Sequence, residues 1–371
     1  MRILFVSTNT NPQETPINGD AQRTRLLYEA CKRMADVDVI SFENQPNKAK
    51  SLGRLKKWLA LLPFSDITAL FPIDPVREAA VDAVMEKGDY DFIVARYFYR
   101  AIPCGLWKYR EKLVVDFDDA LPFYFLNQIT STSEWTSKIR LKWAAKKAKG
   151  ITRRATRKMK ATFFAEESVA ASNHGTFLPN IPYYPGNCPD ADLSAAIKRI
   201  VFVGQLEYQP NMEGLNRFLE QVYRPLLQRL PKVELHLVGQ INDDSLRQRW
   251  QNYPGVTVTG FVDDLKKEYE QSHLVVVPVY RCGATNIKLL EAMSMNRACV
   301  TTQEAYEKMN GRFENKKDLY AAANDDEFVE MLTKLLTDEK ENLRIARNGK
   351  TVMDQYYSFD TFCSIVKNAI V

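Results

Sequence analysis

Residues 274–301 read LVVVPVYRCGATNIKLLEAMSMNRACVT. The opening Leu274-Val-Val-Val-Pro-Val279 is apolar at every position rather than at every second one, as expected of a strand in a parallel sheet covered by helices on both faces. Thr285–Met295 then carries apolar residues at helical spacing, and Ala298–Thr301 begins another short apolar run. Strand, helix and strand in that order are one turn of a doubly wound α/β domain.

Outward from this stretch the pattern repeats. Ile200–Val203, a helix over Glu213–Leu230, Val233–Val238 and Val256–Val262 precede it; Ile3–Val6, a helix over Leu26–Met34, Val37–Phe42, Phe92–Ala95 and Leu113–Val115 occupy the first half. The Pro-rich stretch 182–197 reads as a linker, which predicts two doubly wound Rossmann-like domains, 1–185 and 186–356. The tail is helical in period, and its amphipathic end, 357–371, is expected to return to the first domain.

With 371 residues, 45% hydrophobic and 26% charged, the chain has ample material for two cores, which excludes disorder as its main theme. The longest apolar stretch, Trp58–Phe64, is far short of the roughly 18 residues that span a bilayer. The opening MRILFVST turns polar too early for a secretory signal and fits a first core strand, so a cytoplasmic location is expected. Six scattered Cys without a CxxC pair and three His without ligand spacing predict free thiols and no structural metal.

Charge divides unevenly. Residues 1–185 hold 28 Lys/Arg against 20 Asp/Glu and residues 186–371 hold 23 against 26, so a basic half faces some anionic partner. The excess is densest in Lys138–Lys160, with 11 basic residues and no acid, and beside Leu52, Leu55, Leu59 and Leu62, which share a helical face. A solvated helix explains the first alone; two such segments favour an anionic membrane surface. No nucleic-acid module accompanies the charge, and nucleic acid is not expected as a partner.

Ligands of doubly wound folds bind outside the carboxyl ends of the strands. In the second half these are Gly204-Gln-Leu-Glu-Tyr-Gln-Pro-Asn211, Gly239-Gln240, Gly260-Phe-Val-Asp-Asp264 and Pro278–Met293. Gly283-Ala-Thr-Asn286 is a small-residue loop opening a helix, whose unpaired N–H groups suit phosphate. Lys288 and Glu291 lie three apart on one face of that helix, either a surface ion pair or, with Arg281 and Gly283 before them, a site; the latter is the better reading.

VFVGQLEYQPNMEGLNRFL, VELHLVG, VTVTGFVDD and VVVPVYRCGATNIKLLEAMSMNRACVTT together resemble the donor-binding domain of retaining glycosyltransferases of the GT-B fold, family 4, and within it a bacterial polysaccharide-biosynthesis subgroup. The resemblance implies GT-B architecture, two Rossmann-like domains facing each other across a cleft. It implies a nucleoside-diphosphate sugar as donor, with Glu291 on the ribose hydroxyls, Lys288 and Arg281 on the diphosphate, and the base against Phe261 and Val262. Gly204, Gly283, Thr285 and Asn286 join the donor-binding set with Gly19 and Arg23 of the first half, and Lys288, Arg281 and the helix N-terminus stand in for a metal, so no cofactor is expected. Gly283, Gln205, Asn286 and Asn296 depart from the family's usual residues, and Gln205 and Asn286 stand where two positive charges of the phosphate clamp are usual. A non-catalytic homologue and a sugar-nucleotide epimerase of the same fold are the alternatives.

In the first half, Ile17-Asn-Gly-Asp-Ala-Gln-Arg-Thr-Arg25 would face the donor, with Gly19 allowing close approach and Arg23 reaching an anion; a plain turn with Asp20 as N-cap is equally consistent. Arg96 and Tyr97 follow a strand, as does Asp116-Phe-Asp-Asp119. That motif has the look of a metal-binding DxD, but a metal-dependent single-domain architecture would leave the second domain without a purpose. Asp119 is assigned instead as acceptor contact or base, and the three His as core residues. The expected activity is a metal-independent retaining hexosyl transfer to a lipid-linked bacterial surface glycan, at the inner face of the cytoplasmic membrane.

Overall fold

The structure is a computed structural model. It describes residues 1–15, 19–43, 45, 48–49, 71–118, 125, 129, 134–183, 186–281, 285–309 and 311–371. The leucine face at 52–62, Asp119 and Gly283 lie outside the described residues. The chain forms two compact units, Met1–Pro179 with Phe359–Val371, and Asn180–Ser358.

The first unit carries strands β1 (Arg2–Ser7), β2 (Asp36–Ser41), β3 (Phe92–Arg96), β4 (Leu113–Asp118), β5 (Ala161–Phe164) and β6 (Thr176–Phe177). They pair in parallel in the order β2-β1-β3-β4-β5-β6. The second unit carries β7 (Lys198–Val203), β8 (Val233–Val238), β9 (Val256–Gly260), β10 (Leu274–Val277), β11 (Cys299–Thr302) and β12 (Tyr320–Ala322), parallel in the order β12-β11-β10-β7-β8-β9. The order reverses between β1 and β3 and between β7 and β10, and the carboxyl ends beside these reversals are where doubly wound sheets bind ligands.

Burial on both faces is what the apolar runs require. Leu274, Val275, Val276 and Val277 are all buried. Val276 packs with Ile200, Leu235 and Val300 against Phe218, Phe328 and Leu332. Each such side chain contributes about 1.5–3 kcal/mol when fully removed from water. In the first unit Leu4, Ile93 and Val115 pack against Leu141, Ala148 and Ile151 of the helix Trp135–Thr156.

Element ends follow local chemistry. β10 stops at Val277 because Pro278 has no N–H to continue the ladder. β9 stops at Gly260, two residues earlier than the apolar run suggests, which leaves Phe261 and Val262 in the following loop. The helix expected over Glu213–Leu230 runs from Gln209 to Arg229, widened at Leu219–Tyr223 just before Pro225, whose ring and missing N–H disrupt an ordinary turn. The last helix, Phe359–Ile370, packs on Gly19–Lys32 within the first unit, where Arg33 pairs with Asp360 and stacks 4.3 Å from the Phe359 ring centroid.

Among the histidines only His273 is a core residue. His236 is half-buried in β8, and His174 is an exposed left-handed residue beside Arg157. No described helix is long and apolar enough to cross a membrane.

Candidate functional site

The carboxyl edge of the second sheet is built around three glycines. Gly204 N–H donates to Val238 O and Gly239 N–H donates to Gly260 O, tying the ends of β7, β8 and β9 together. Gly239 must be glycine here: it has φ +142°, and a β-carbon would lie 1.8 Å from Gly204 O. Beside them Asn211 is buried and donates to Gln205 O at 2.7 Å, while its own side-chain oxygen has no partner among the described residues. Sequence reasoning did not single out Asn211; its position just inside the first turn of a helix after a strand-end glycine was the available signal.

Across the reversal, strand β11 fixes the exit of β10, since Thr301 and Thr302 donate their hydroxyls to Val277 O and Val279 O at 2.8 and 2.6 Å. The helix Ile287–Ser294 follows, with Asn286 at its N-cap, and buries Leu289, Leu290, Ala292 and Met293. Those anchors leave Lys288 and Glu291 on the remaining face. Thr285 donates to Lys308 O at 3.0 Å. Just past the helix C-cap Met295 stands Asn296, φ 56°, a left-handed position that glycine usually fills and asparagine tolerates. Asn296 also donates to Asp190 Oδ1 at 3.0 Å, so the Pro-rich stretch expected as a linker is tied into this unit.

Lys288 passes over Gly204, its Cε 2.5 Å from where a β-carbon would stand. Glu291 Oε1 is buried without a hydrogen-bond partner among the described residues. Burial pushes the Glu291 carboxyl up to about 7, against the opposing pull of Lys288. Burial, and then the Glu291 charge, raises the Tyr269 phenol well above its ordinary value, and that hydroxyl too is unpartnered among the described residues. A buried carboxylate oxygen without a hydrogen-bond partner among the described residues is a costly arrangement that a hydrogen-bond donating ligand would relieve.

The other second-unit residues are more peripheral. Arg281 is mostly exposed and pairs with Glu213 on the helix Gln209–Phe218. Phe261 is 75% exposed at the end of β9, and Val262 is half-buried beside it.

The first unit presents a different arrangement at its own reversal. Arg23 Nε and Nη2 each donate to Asp116 at 2.8 Å, and the same guanidinium reaches Leu178 O and Pro179 O. The anion that Arg23 meets is therefore Asp116, in the core of its own unit. Arg96 donates to Asp116 at 2.9 Å, to Asp20 Oδ1 at 2.6 Å and to Asp118 Oδ2 at 2.6 Å. Tyr97 OH donates to Asp20 Oδ1 at 2.7 Å. Asp20, expected as an N-cap, is the second residue of the helix Gly19–Lys32, and its carboxylate turns to Arg96, Tyr97 and Asn9 instead. Gly19 opens that helix and is exposed.

Burial would raise the Asp116 carboxyl, but Arg23 and Arg96 hold it below the usual carboxylate range. Tyr97 and Asp118 both have positive φ, 59° and 60°, and β4 shifts register between Asp116 and Asp118. Strained non-glycine residues of this kind persist where surrounding contacts over-determine them.

Residues 197–338, the stretch from β7 to β12 in the second unit, match the family described as Glycosyl transferases group 1. No curated protein sequence matches the chain. Among solved structures, sucrose-phosphate synthase from Thermosynechococcus elongatus is similar at TM-score 0.66 and 13% identity, over 99% of this chain and 97% of that one. HepE from Anabaena, in complex with UDP and glucose, is similar at TM-score 0.62 and 15% identity, over 99% and 98%. WaaG, a glycosyltransferase involved in lipopolysaccharide biosynthesis, is similar at TM-score 0.56 and 15% identity, over 100% and 98%. At these identities the likeness is one of fold: two parallel-sheet α/β domains of GT-B type.

Proposed function

We propose that the chain is a metal-independent retaining glycosyltransferase of family 4 that moves a hexosyl group from a nucleoside-diphosphate sugar to a lipid-linked bacterial surface glycan. One observation carries this reading: half-buried Glu291, with one buried and unpartnered carboxylate oxygen, beside Lys288 at the strand-order reversal of the domain that matches the group 1 glycosyl transferases. Two vicinal ribose hydroxyls are the donors such a carboxylate lacks. The solved HepE complex contains UDP and glucose, which supports a nucleoside diphosphate as the donor's leaving half.

In this reading Lys288, Arg281 and the N–H groups that open Ile287–Ser294 stabilise negative charge on the departing diphosphate. The bond from the anomeric carbon to the diphosphate oxygen breaks, the acceptor oxygen bonds to that carbon from the same face, and the acceptor proton leaves with the diphosphate. Gly204 and Asn286 shape the phosphate pocket with Thr285 and Gly283, and Phe261 and Val262 flank the base. Gly19 belongs to the donor-binding set, and Asp119 to the acceptor side. The protein would work as a peripheral protein on the inner face of the cytoplasmic membrane.

The test is a thermal-shift series with UDP, GDP, CDP and their sugars, because a ligand that binds only the folded state raises its melting temperature. One nucleotide should stabilise the wild type and not Glu291→Ala, and its sugar should be transferred or slowly hydrolysed. No stabilisation by any of them would overturn the reading. Binding without turnover would favour a non-catalytic homologue, a second reading that the pairing of Arg281 with Glu213 supports.

A further inference from the structure

We infer that the helix Trp135–Thr156 docks the protein on an anionic lipid surface through the face formed by Trp135, Ile139 and Trp143. The inference deepens the proposed function by naming where a lipid-borne acceptor is approached; it rests on that reading for the acceptor and not for the surface.

The three residues lie four apart and so share one helical face. They are 70%, 40% and 52% exposed. The opposite face, with Leu141, Ala144, Ala148, Ile151 and Ala155, is packed into the first unit's core. Among the described residues the helix is therefore held by one side. A helix face built for water alone would be polar at those positions. Tryptophan is the residue that sits at a lipid–water boundary, apolar ring inward and indole N–H at the headgroups.

The surrounding charge selects the partner. Lys138, Lys142 and Lys146 are exposed around the apolar stripe, and Lys147 lies 5.8 Å from the Trp143 ring centroid. No Asp or Glu occurs from 135 to 160. Glu134, immediately before the helix, accepts from the Thr136 and Ser137 hydroxyls at 2.7 and 2.8 Å. Long lysine stems can lie along an apolar surface while their ammonium groups reach anionic headgroups. Both halves of an interfacial helix are thus on one face: apolar anchors and basic groups beside them.

The test is co-sedimentation of the full chain with vesicles of phosphatidylcholine alone and of phosphatidylcholine mixed with phosphatidylglycerol. Wild type should bind only the anionic vesicles, and less as salt rises. Trp135→Ala with Trp143→Ala should weaken binding about tenfold or more. Each of Lys138→Gln, Lys142→Gln and Lys146→Gln should weaken it about fivefold, the equivalent of about 1 kcal/mol per charge. All these side chains are exposed, and the circular dichroism and melting temperature of each variant should match wild type, which separates lost docking from lost folding. Undiminished binding by the double tryptophan variant, or equal binding to neutral vesicles, overturns the inference. So does a concentration-dependent dimer broken by the same variant without vesicle binding, or preferential retention of an oligonucleotide at matched salt. Vesicle binding by a protein that no nucleotide stabilises would sustain the surface and remove the donor reading instead.

Discussion

Lys288 lies across Gly204, its Cε 2.5 Å from the position a β-carbon would take. The strand-end glycine is therefore the floor on which the lysine rests, and their places are linked although 84 residues separate 204 from 288. Gly204→Ala should displace the ammonium group, because the colliding atom belongs to a flexible side chain, and should also lower the melting temperature, because φ of +159° strains a residue with a β-carbon. Turnover should fall about tenfold, since diphosphate charge grows toward the transition state and that is where the lysine acts. Transfer rate and melting temperature, measured together, check this; a stability loss without a rate loss would refute the linkage.

Glu291→Ala should weaken binding of the cognate nucleoside diphosphate. Charge-assisted hydrogen bonds contribute about 1.5–3 kcal/mol each, and about 1.4 kcal/mol is a factor of ten, so the loss should be one to several powers of ten. If Glu291 were only the partner of Lys288, titration calorimetry would find wild-type affinity.

Glu291 also predicts opposite pH trends for stability and binding. Its folded-state pKa of about 7 lies above the ordinary 4.5, so its contribution to stability is present below the ordinary value and lost as pH rises through about 7. Glu291→Gln should therefore be more stable than wild type at pH 8, by on the order of 1–3 kcal/mol, and equal to it near pH 4. Wild-type nucleotide affinity should rise over the same interval, because the ionised carboxylate is the better acceptor. Denaturant melts and binding isotherms across this range check both signs.

Asp116 should be a stability residue. Removing one member of a buried ion pair costs about 3–5 kcal/mol, and Asp116→Asn would leave both Arg23 and Arg96 under-compensated. Because the Asp116 carboxyl is held low, its contribution is present above the ordinary carboxylate value and lost as pH falls through the depressed one. Urea unfolding of the variant at neutral pH and of wild type toward acid measures both.

Transfer should persist in excess EDTA. Asp116 already accepts from two guanidinium groups and Asp118 from Arg96, so these carboxylates have protein cations beside them. Loss of activity in chelator, restored by magnesium or manganese, would overturn the metal-independent mechanism.

Much of this was legible in one dimension because it rests on local periodicity. A run that is apolar at every position has no polar face to give water, so Leu274–Val277 had to be buried between helices in any fold that satisfied it. Helical spacing likewise put Lys288 and Glu291 on one face before any contact was known. Strand ends were less legible: the apolar run through Val262 says nothing of where the ladder stops, and Gly260 decided that.

What only the tertiary structure decided is which charges meet. Arg23 appeared suited to an incoming phosphate, yet its carboxylate partner comes from a strand 93 residues away, and no local pattern encodes that distance. Asp20 appeared to cap a helix, and Arg96, 76 residues on, takes its carboxylate instead. The state of Glu291 depends in the same way on what fails to approach it: its raised pKa and unpartnered oxygen come from the burial that folded neighbours impose. Periodicity is a property of neighbours in sequence, so the chain determined its elements and their buried faces. Desolvation and ion pairing depend on what lies nearby in space, so the chemistry of the site waited for the fold.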